Sequence, residues 1–383
     1  MTQKNTIDRF FFVNSYIDKR GSIGFRAGKI MQYISSKNQT SVCLCKSYET
    51  PTANVKFISL FSLKVIIKAI KSIRILTKGF IDHRVIDIYL FEKIAIFLLK
   101  TKYRNYQIKV AHLWEYCPRL IQELKKRNIY VILDVPIAPA NYAERVSKDF
   151  NLKFMRQNGR MIEIQNKSFQ VADKIIVPSK FVFFELQKLN ISNKKISIVE
   201  FGAENNSTIN FGNIKLKKIG TDFCFLGVLS PRKGLIDILN VWNDPIFKND
   251  RLHLCGRVYP EIRDMINKNK LKNIILHGFI NPYEFLHNYD VFLLPSWMEG
   301  SSKSIYEAMA SGLPSIVSYS SGSIIRHKED GFIINAGDRY SLRKYMIRLK
   351  TNEALAKKMG EAALRNVAKY SWTRYCEKVE SLY

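Results

Sequence analysis

Residues 289–314 read YDVFLLPSWMEGSSKSIYEAMASGLP. Val291 to Leu294 is a short apolar run stopped by Pro295, the pattern of a buried strand. A loop of small and polar residues, Glu299 to Ser304, leads into a helix expected to start near Ser304 and to end at Ser311-Gly312. Ser315-Ile316-Val317 then opens the next strand. A buried strand, a loop, a helix and another buried strand make one unit of a parallel sheet, and ligands of such sheets bind at the carboxyl ends of the strands. The N-terminus of the following helix offers N–H groups and a positive dipole end suited to phosphate. Ser301, Ser302 and Ser304 add hydroxyls, and Lys303 adds charge. Glu299 is expected before the helix and Glu307 in its first turn, so that both carboxylates border one pocket.

The same alternation runs outward in both directions. Upstream, strand-like runs are Arg9 to Val13, Thr40 to Leu44, Ile108 to Leu113, Tyr130 to Leu133, Lys174 to Val177 and Ile196 to Val199. Nearer the quoted stretch come Asp222 to Leu226, Leu252 to Cys255 and Ile274 to Leu276. Helical patterns separate most of them, among them Pro118 to Lys126 and, at the end, Asn352 to about Ala368. Two series of this kind in 383 residues predict an α/β protein of two doubly wound domains, with the polar stretch Glu204 to Thr221 at the boundary.

Two glutamates with seven residues between them, followed by Ala-Met-Ala-Ser-Gly-Leu-Pro, resemble the E-x7-E motif of glycosyltransferase family 4. Gly227 to Gly234 resembles that family's first-strand loop, Leu254-Cys255-Gly256 its next strand end, His277-Gly278-Phe279-Ile280 its base-binding turn and Gly331 to Ile334 a later strand. Ala172 to Ser179 and Phe201 to Glu204 fit its domain-closing segments. The likeness is tight from Asp173 to Tyr370 and loose before that.

The resemblance implies a GT-B fold: two Rossmann-like domains facing across a cleft. Residues 1–203 would bind acceptor, residues 204–368 would bind a nucleotide-sugar donor, and residues 369–383 would pack back on the first domain. It also implies site residues. Lys233 and Arg232 would neutralise the donor diphosphate beside Gly227. The N–H groups of Ser302, Lys303 and Ser304 would cradle it, Glu307 would hold the ribose and Glu299 the donor sugar. The backbone at Phe279 and Ile280 would meet the base, and the loop Gly21, Ser22, Gly24 would approach the diphosphate. His112 and Asp134, at strand-like ends in the first half, are read either as acceptor-side polar groups or as partly buried structural residues. Val228 stands where the family carries an arginine, with Lys303 or Arg257 as the expected substitute, and Ser301-Ser302 replaces Phe-Gly. No Asp-x-Asp pair occurs in the chain, which fits transfer without a metal or other cofactor.

Net charge is +28, from 61 Lys and Arg against 33 Asp and Glu, and it calls for a polyanionic partner. Pro51 to Ile81 holds no acid, and Lys64, Lys68, Lys71, Arg74 and Lys78 recur at helical spacing among aliphatics. That pattern predicts a helix lying on an anionic membrane surface, and with it an enzyme on the cytoplasmic face of the plasma membrane building surface polysaccharide or glycolipid. The stretches Phe57 to Leu76 and Val85 to Leu99 carry charges that exclude a spanning helix, and the start does not read as a signal peptide. Nucleic-acid binding is disfavoured, because the basic stripe alternates with aliphatic rather than aromatic residues. A sugar-nucleotide epimerase of the same fold remains the nearest alternative enzyme. Six scattered cysteines without metal-ligand spacing read as core residues in a reducing compartment.

Overall fold

The computed structural model describes residues 6–17, 22–37, 39–49, 51–60, 82–204 and 220–383. The basic segment around 64–78 and Gly21 lie outside these. The chain divides into two compact units. The first comprises residues 1–177, 183–199 and 376–383, and the second residues 178–182 and 200–375. The divide thus falls at Val199/Glu200 rather than after residue 203. The return to the first unit begins at Cys376, within the helix Trp372–Glu380.

The first unit is built on strands β1 (Thr6–Ile17), β2 (Ser41–Tyr48), β3 (Val55–Ser59), β4 (Gln107–Leu113), β5 (Tyr130–Asp134), β6 (Lys174–Val177) and β7 (Ile196–Ile198). All pairings are parallel, in the order β3-β2-β1-β4-β5-β6-β7. Strands buried on both faces read as unbroken apolar runs, hence Phe10-Phe11-Phe12 in β1, all without exposed surface. Full burial of each ring contributes about 1.5–3 kcal/mol. The edge strand β3 (VKFIS) carries no such run and did not stand out in the sequence. The C-terminal residues close this unit: Glu380 pairs with Lys37 at 2.5 Å and Arg9 at 3.7 Å.

In the second unit β8 (Asp222–Leu226), β9 (Arg251–Cys255), β10 (Ile274–Gly278), β11 (Val291–Leu294), β12 (Ser315–Ser318) and β13 (Gly331–Ile334) form a parallel sheet ordered β10-β9-β8-β11-β12-β13. Chain direction across each sheet reverses once, at β1/β4 in the first unit and β8/β11 in the second. These switch points are where open α/β sheets leave a crevice at their carboxyl edge. All six cysteines are buried and none forms a disulfide. Among the described residues, no helix is long and apolar enough to cross a membrane.

Candidate active site

The second unit's switch point carries the loops that follow β8 and β11. Gly227, directly after β8, has φ +141°, and a Cβ there would lie 3.2 Å from Lys233 Nζ. The lysine side chain therefore lies over bare backbone. Gly234, at φ +76°, ends the short 3-10 turn Pro231–Lys233, and a Cβ on it would overlap the Pro295 carbonyl oxygen at 2.1 Å. The two loops are further joined where Trp297 N–H donates to Arg232 O at 2.9 Å. This interlock aims the cations at Glu299. Its Oε1 accepts from Lys233 Nζ at 3.1 Å and Arg232 NH1 at 3.0 Å, while Arg232 also donates to Met298 O.

The helix after β11 is Lys303–Ala310, beginning at Lys303 rather than Ser304. Glu307 is one full turn in, not in the first turn, and this places it under Lys303, whose Nζ lies 3.1 Å from Glu307 Oε1. Glu307 is 7% exposed. Burial raises its carboxyl pKa, with Glu204 adding to the rise and Lys303 and Lys233 opposing it. Ser302 is the N-cap residue in extended conformation and makes no side-chain cap bond; its hydroxyl meets that of Ser304 at 2.9 Å. Ser301 bonds Tyr306 OH at 3.1 Å. The Ile305 N–H donates to Ser302 O at 3.1 Å, closing the first turn of a helix whose start carries Lys303 and whose next turn carries Glu307.

Beyond β8, the strand ends of β9 and β10 continue the bare floor. Gly256 N–H donates to Gly278 O, and a Cβ on Gly256 would strike Gly227 O at 1.9 Å. Gly278 has φ +67° and open space beside it, and Phe279 is 86% exposed. His277 is tied to β9 by its Nε2, 2.9 Å from His253 Nδ1. Three successive glycines at strand ends leave an open backbone edge that side chains would close. Lys303, one expected substitute for the missing arginine, is engaged with Glu307, and Arg257 lies over the Tyr259 ring at 5.5 Å. Arg232 and Lys233 are the cations that meet at Glu299.

In the first unit, Ser22 and Gly24 belong to the helix Ser22–Ser35 rather than to a loop. A Cβ on Gly24 would overlap the Tyr16 carbonyl oxygen, so this glycine brings helix and strand together. His112 and Asp134 turn inward. His112 is fully buried, with Nδ1 2.8 Å from Tyr383 OH and its ring stacked on Trp114 at 3.8 Å. Burial, with Arg26 nearby, holds its pKa well below the ordinary value, so the ring is neutral. Asp134 takes a double hydrogen bond from Arg26 NH1 at 2.9 and 3.1 Å, both residues being buried. Both side chains are internal, which agrees with the structural alternative for them.

A different cluster occupies this unit's switch point. Asn14, from the irregular part of β1, donates to Glu115 Oε2 at 2.9 Å and to Asp87 Oδ2 at 3.3 Å. Lys46 reaches Asp87 at 2.7 Å, and Arg84 bridges Asp87 at 3.3 Å and Glu115 at 2.8 Å. Burial opposes the Arg84 charge, but the Glu115 and Asp87 carboxylates outweigh it and raise the pKa. No motif or spacing marks these residues, since they come from four segments; the one available signal was Glu115 just past a strand end. Among the described residues, no group of three or more histidine, cysteine or carboxylate side chains could hold a metal ion.

Comparison with known proteins places this geometry. Residues 220–352 match the family model "Glycosyl transferases group 1". A glycosyltransferase of Methanocaldococcus jannaschii, MJ1178, is 27% identical over 217 residues, covering 55% of this chain and 59% of the relative. An Escherichia coli UDP-Gal:alpha-D-GlcNAc-diphosphoundecaprenol alpha-1,3-galactosyltransferase is 27% identical over 220 residues, covering 52% of this chain and 56% of the relative. The matches thus span less than two thirds of these relatives' length. The sucrose-phosphate synthase structure from Thermosynechococcus elongatus superposes with a TM-score of 0.73 at 14% identity, over 99% of this chain and 98% of that one. The chain therefore has the GT-B fold of glycosyltransferases, and its residues 220–352 are similar to the group 1 glycosyl transferases.

Proposed function

We propose that the protein is a retaining, metal-independent glycosyltransferase of family 4 that moves a sugar from a nucleotide-diphosphate sugar to a saccharide or lipid-linked acceptor. The observation that carries this reading is the second unit's arrangement of Lys233, Arg232 and Glu299 beside the helix start at Ser302 and the buried Glu307. A carboxylate only accepts hydrogen bonds, so Glu307 suits the paired hydroxyls of a ribose. Lys233 and Arg232, with the helix N–H groups, stabilise the negative charge that grows on the departing diphosphate, the task a metal performs elsewhere. Glu299 holds those cations in place before substrate arrives and lies where the sugar would sit. The open edge at Gly278, with backbone at Phe279 and Ile280, takes the base.

The acceptor is assigned to the first unit's switch point, where Arg84, Lys46, Asp87 and Glu115 offer both signs of charge to a polyhydroxylated molecule. The undecaprenyl-linked acceptor named for the Escherichia coli relative supports a lipid-linked acceptor here. The acid-free segment with Lys64, Lys68, Lys71, Arg74 and Lys78 supports work at the inner face of the plasma membrane, in surface polysaccharide or glycolipid synthesis. The test is a transfer assay over a panel of UDP-, GDP- and ADP-sugars with a lipid-linked saccharide acceptor, with and without EDTA. Transfer from one donor class with retained anomeric configuration, undiminished by chelation, is expected. Loss of transfer in EDTA with recovery in magnesium or manganese refutes the metal-independent mechanism.

A further inference from the structure

The first unit contains a cavity of about 680 Å³ among the helices His83–Lys100, Pro118–Lys125 and Gly159–Val171. Its size falls in the range of about 300–1,000 Å³ typical of small-molecule sites. One wall is apolar, with Val85, Ile86 and Ile164 half-buried and Tyr89 exposed. The outer face of a surface helix is normally polar, so this wall is unusual for a solvated surface.

The charged lining is asymmetric in what is already engaged. Asp82 accepts from Arg84 N–H at 2.9 Å. Glu92 accepts from the N–H groups of Arg119 and Leu120 at 2.7 and 3.1 Å. Glu163 is paired with Lys167 at 2.6 Å. All three carboxylates thus have donors, whereas Arg119 and Arg160 form no ion pair with any described residue. The Arg119 guanidinium rests over the Tyr89 ring at 5.9 Å, joining the cationic side of the cavity to its apolar wall.

We propose that this cavity binds an anionic amphiphile, with a phosphate or carboxylate head on Arg119 and Arg160 and a hydrocarbon chain along Val85, Ile86, Tyr89 and Ile164. Guanidinium groups match the planar, multidentate acceptors of such heads. A bare anion leaves the apolar wall wet, and an uncharged lipid leaves both arginines without an ion pair. The cavity shares the helix His83–Lys100 with Arg84 and Asp87, but its lining includes no residue of the donor loops or of the Asn14, Lys46, Arg84, Asp87 and Glu115 cluster, and the inference does not depend on the donor assignment.

Calorimetric titration of the full chain with decyl phosphate below its micelle concentration tests this, with inorganic phosphate and decyl maltoside as separate arms. One saturable decyl phosphate site per chain is expected, at least about tenfold tighter than either control, since both head and chain contribute. Arg119→Gln with Arg160→Gln weakens it by about tenfold or more, from the loss of charge-assisted hydrogen bonds. Ile164→Asn also weakens it. Both arginines are exposed and Ile164 is half-buried, so the fold survives, which circular dichroism melts verify. Absence of a saturable site, or undiminished binding in both variants, overturns the proposal. Equal affinity for inorganic phosphate overturns the amphiphile assignment.

Discussion

Glu307→Ala separates binding from stability. Two ribose hydroxyls donating to one carboxylate make charge-assisted bonds of about 1.5–3 kcal/mol each, and such neighbouring bonds do not add fully. A loss on the order of 3 kcal/mol corresponds to about a hundredfold in Kd. The fold bears little of this loss. Lys303, left without its partner, is 40% exposed at the side chain, and pairs of that kind contribute about 0–1 kcal/mol. Burial has moreover raised the Glu307 pKa, so the folded state disfavours the charge, and stability from this group falls as pH rises through its titration. Glu307→Gln, which keeps the volume and removes the charge, is therefore expected to melt at or above the wild-type temperature near neutral pH while still binding donor more weakly. The assay is calorimetry with whichever of UDP, GDP or ADP binds wild type tightest, alongside thermal melts. A Kd within twofold of wild type for both variants, or a cooperative loss of the fold in Glu307→Gln, refutes the ribose role.

Lys233→Ala is expected to lower kcat by about 10²-fold or more with a smaller change in donor affinity, because its interaction grows as the diphosphate leaves; steady-state kinetics checks this, and a change confined to KM contradicts it. His112 is held neutral by burial, so the unfolded chain takes up a proton that the folded one does not. Stability of the first unit should be complete above pH 6.5 and fall as pH drops below it, by up to about 1.4 kcal/mol per pH unit. Denaturant titrations from pH 7.5 to 5.5 should show a shallower slope in His112→Asn, and equal slopes refute the assignment. Reversal of Lys64, Lys68, Lys71 and Lys78 to Glu should abolish salt-sensitive co-sedimentation with anionic vesicles while sparing nucleotide binding; wild type remaining in the supernatant argues against a membrane surface as partner.

What the sequence alone determined is local. Parallel strands covered on both faces leave unbroken apolar runs such as Phe10 to Phe12 and Val291 to Leu294, and these positioned most of both sheets. The edge strand β3 lacks that signal because it is less covered. The second unit's site loops were legible because Glu299 to Glu307 and Gly227 to Gly234 are contiguous stretches whose backbone geometry depends on their own glycines and prolines. Only the tertiary structure decided which partners those residues meet. Glu299 engages both Arg232 and Lys233, across 66 or more positions of sequence. His112 and Asp134 look like strand-end polar groups, yet Tyr383 and Arg26 turn them into internal pairs. The cluster of Asn14, Lys46, Arg84, Asp87 and Glu115 is assembled across up to 101 positions. No periodicity encodes it, because its members converge only when β1, β2 and β4 lie side by side and a helix start covers their ends.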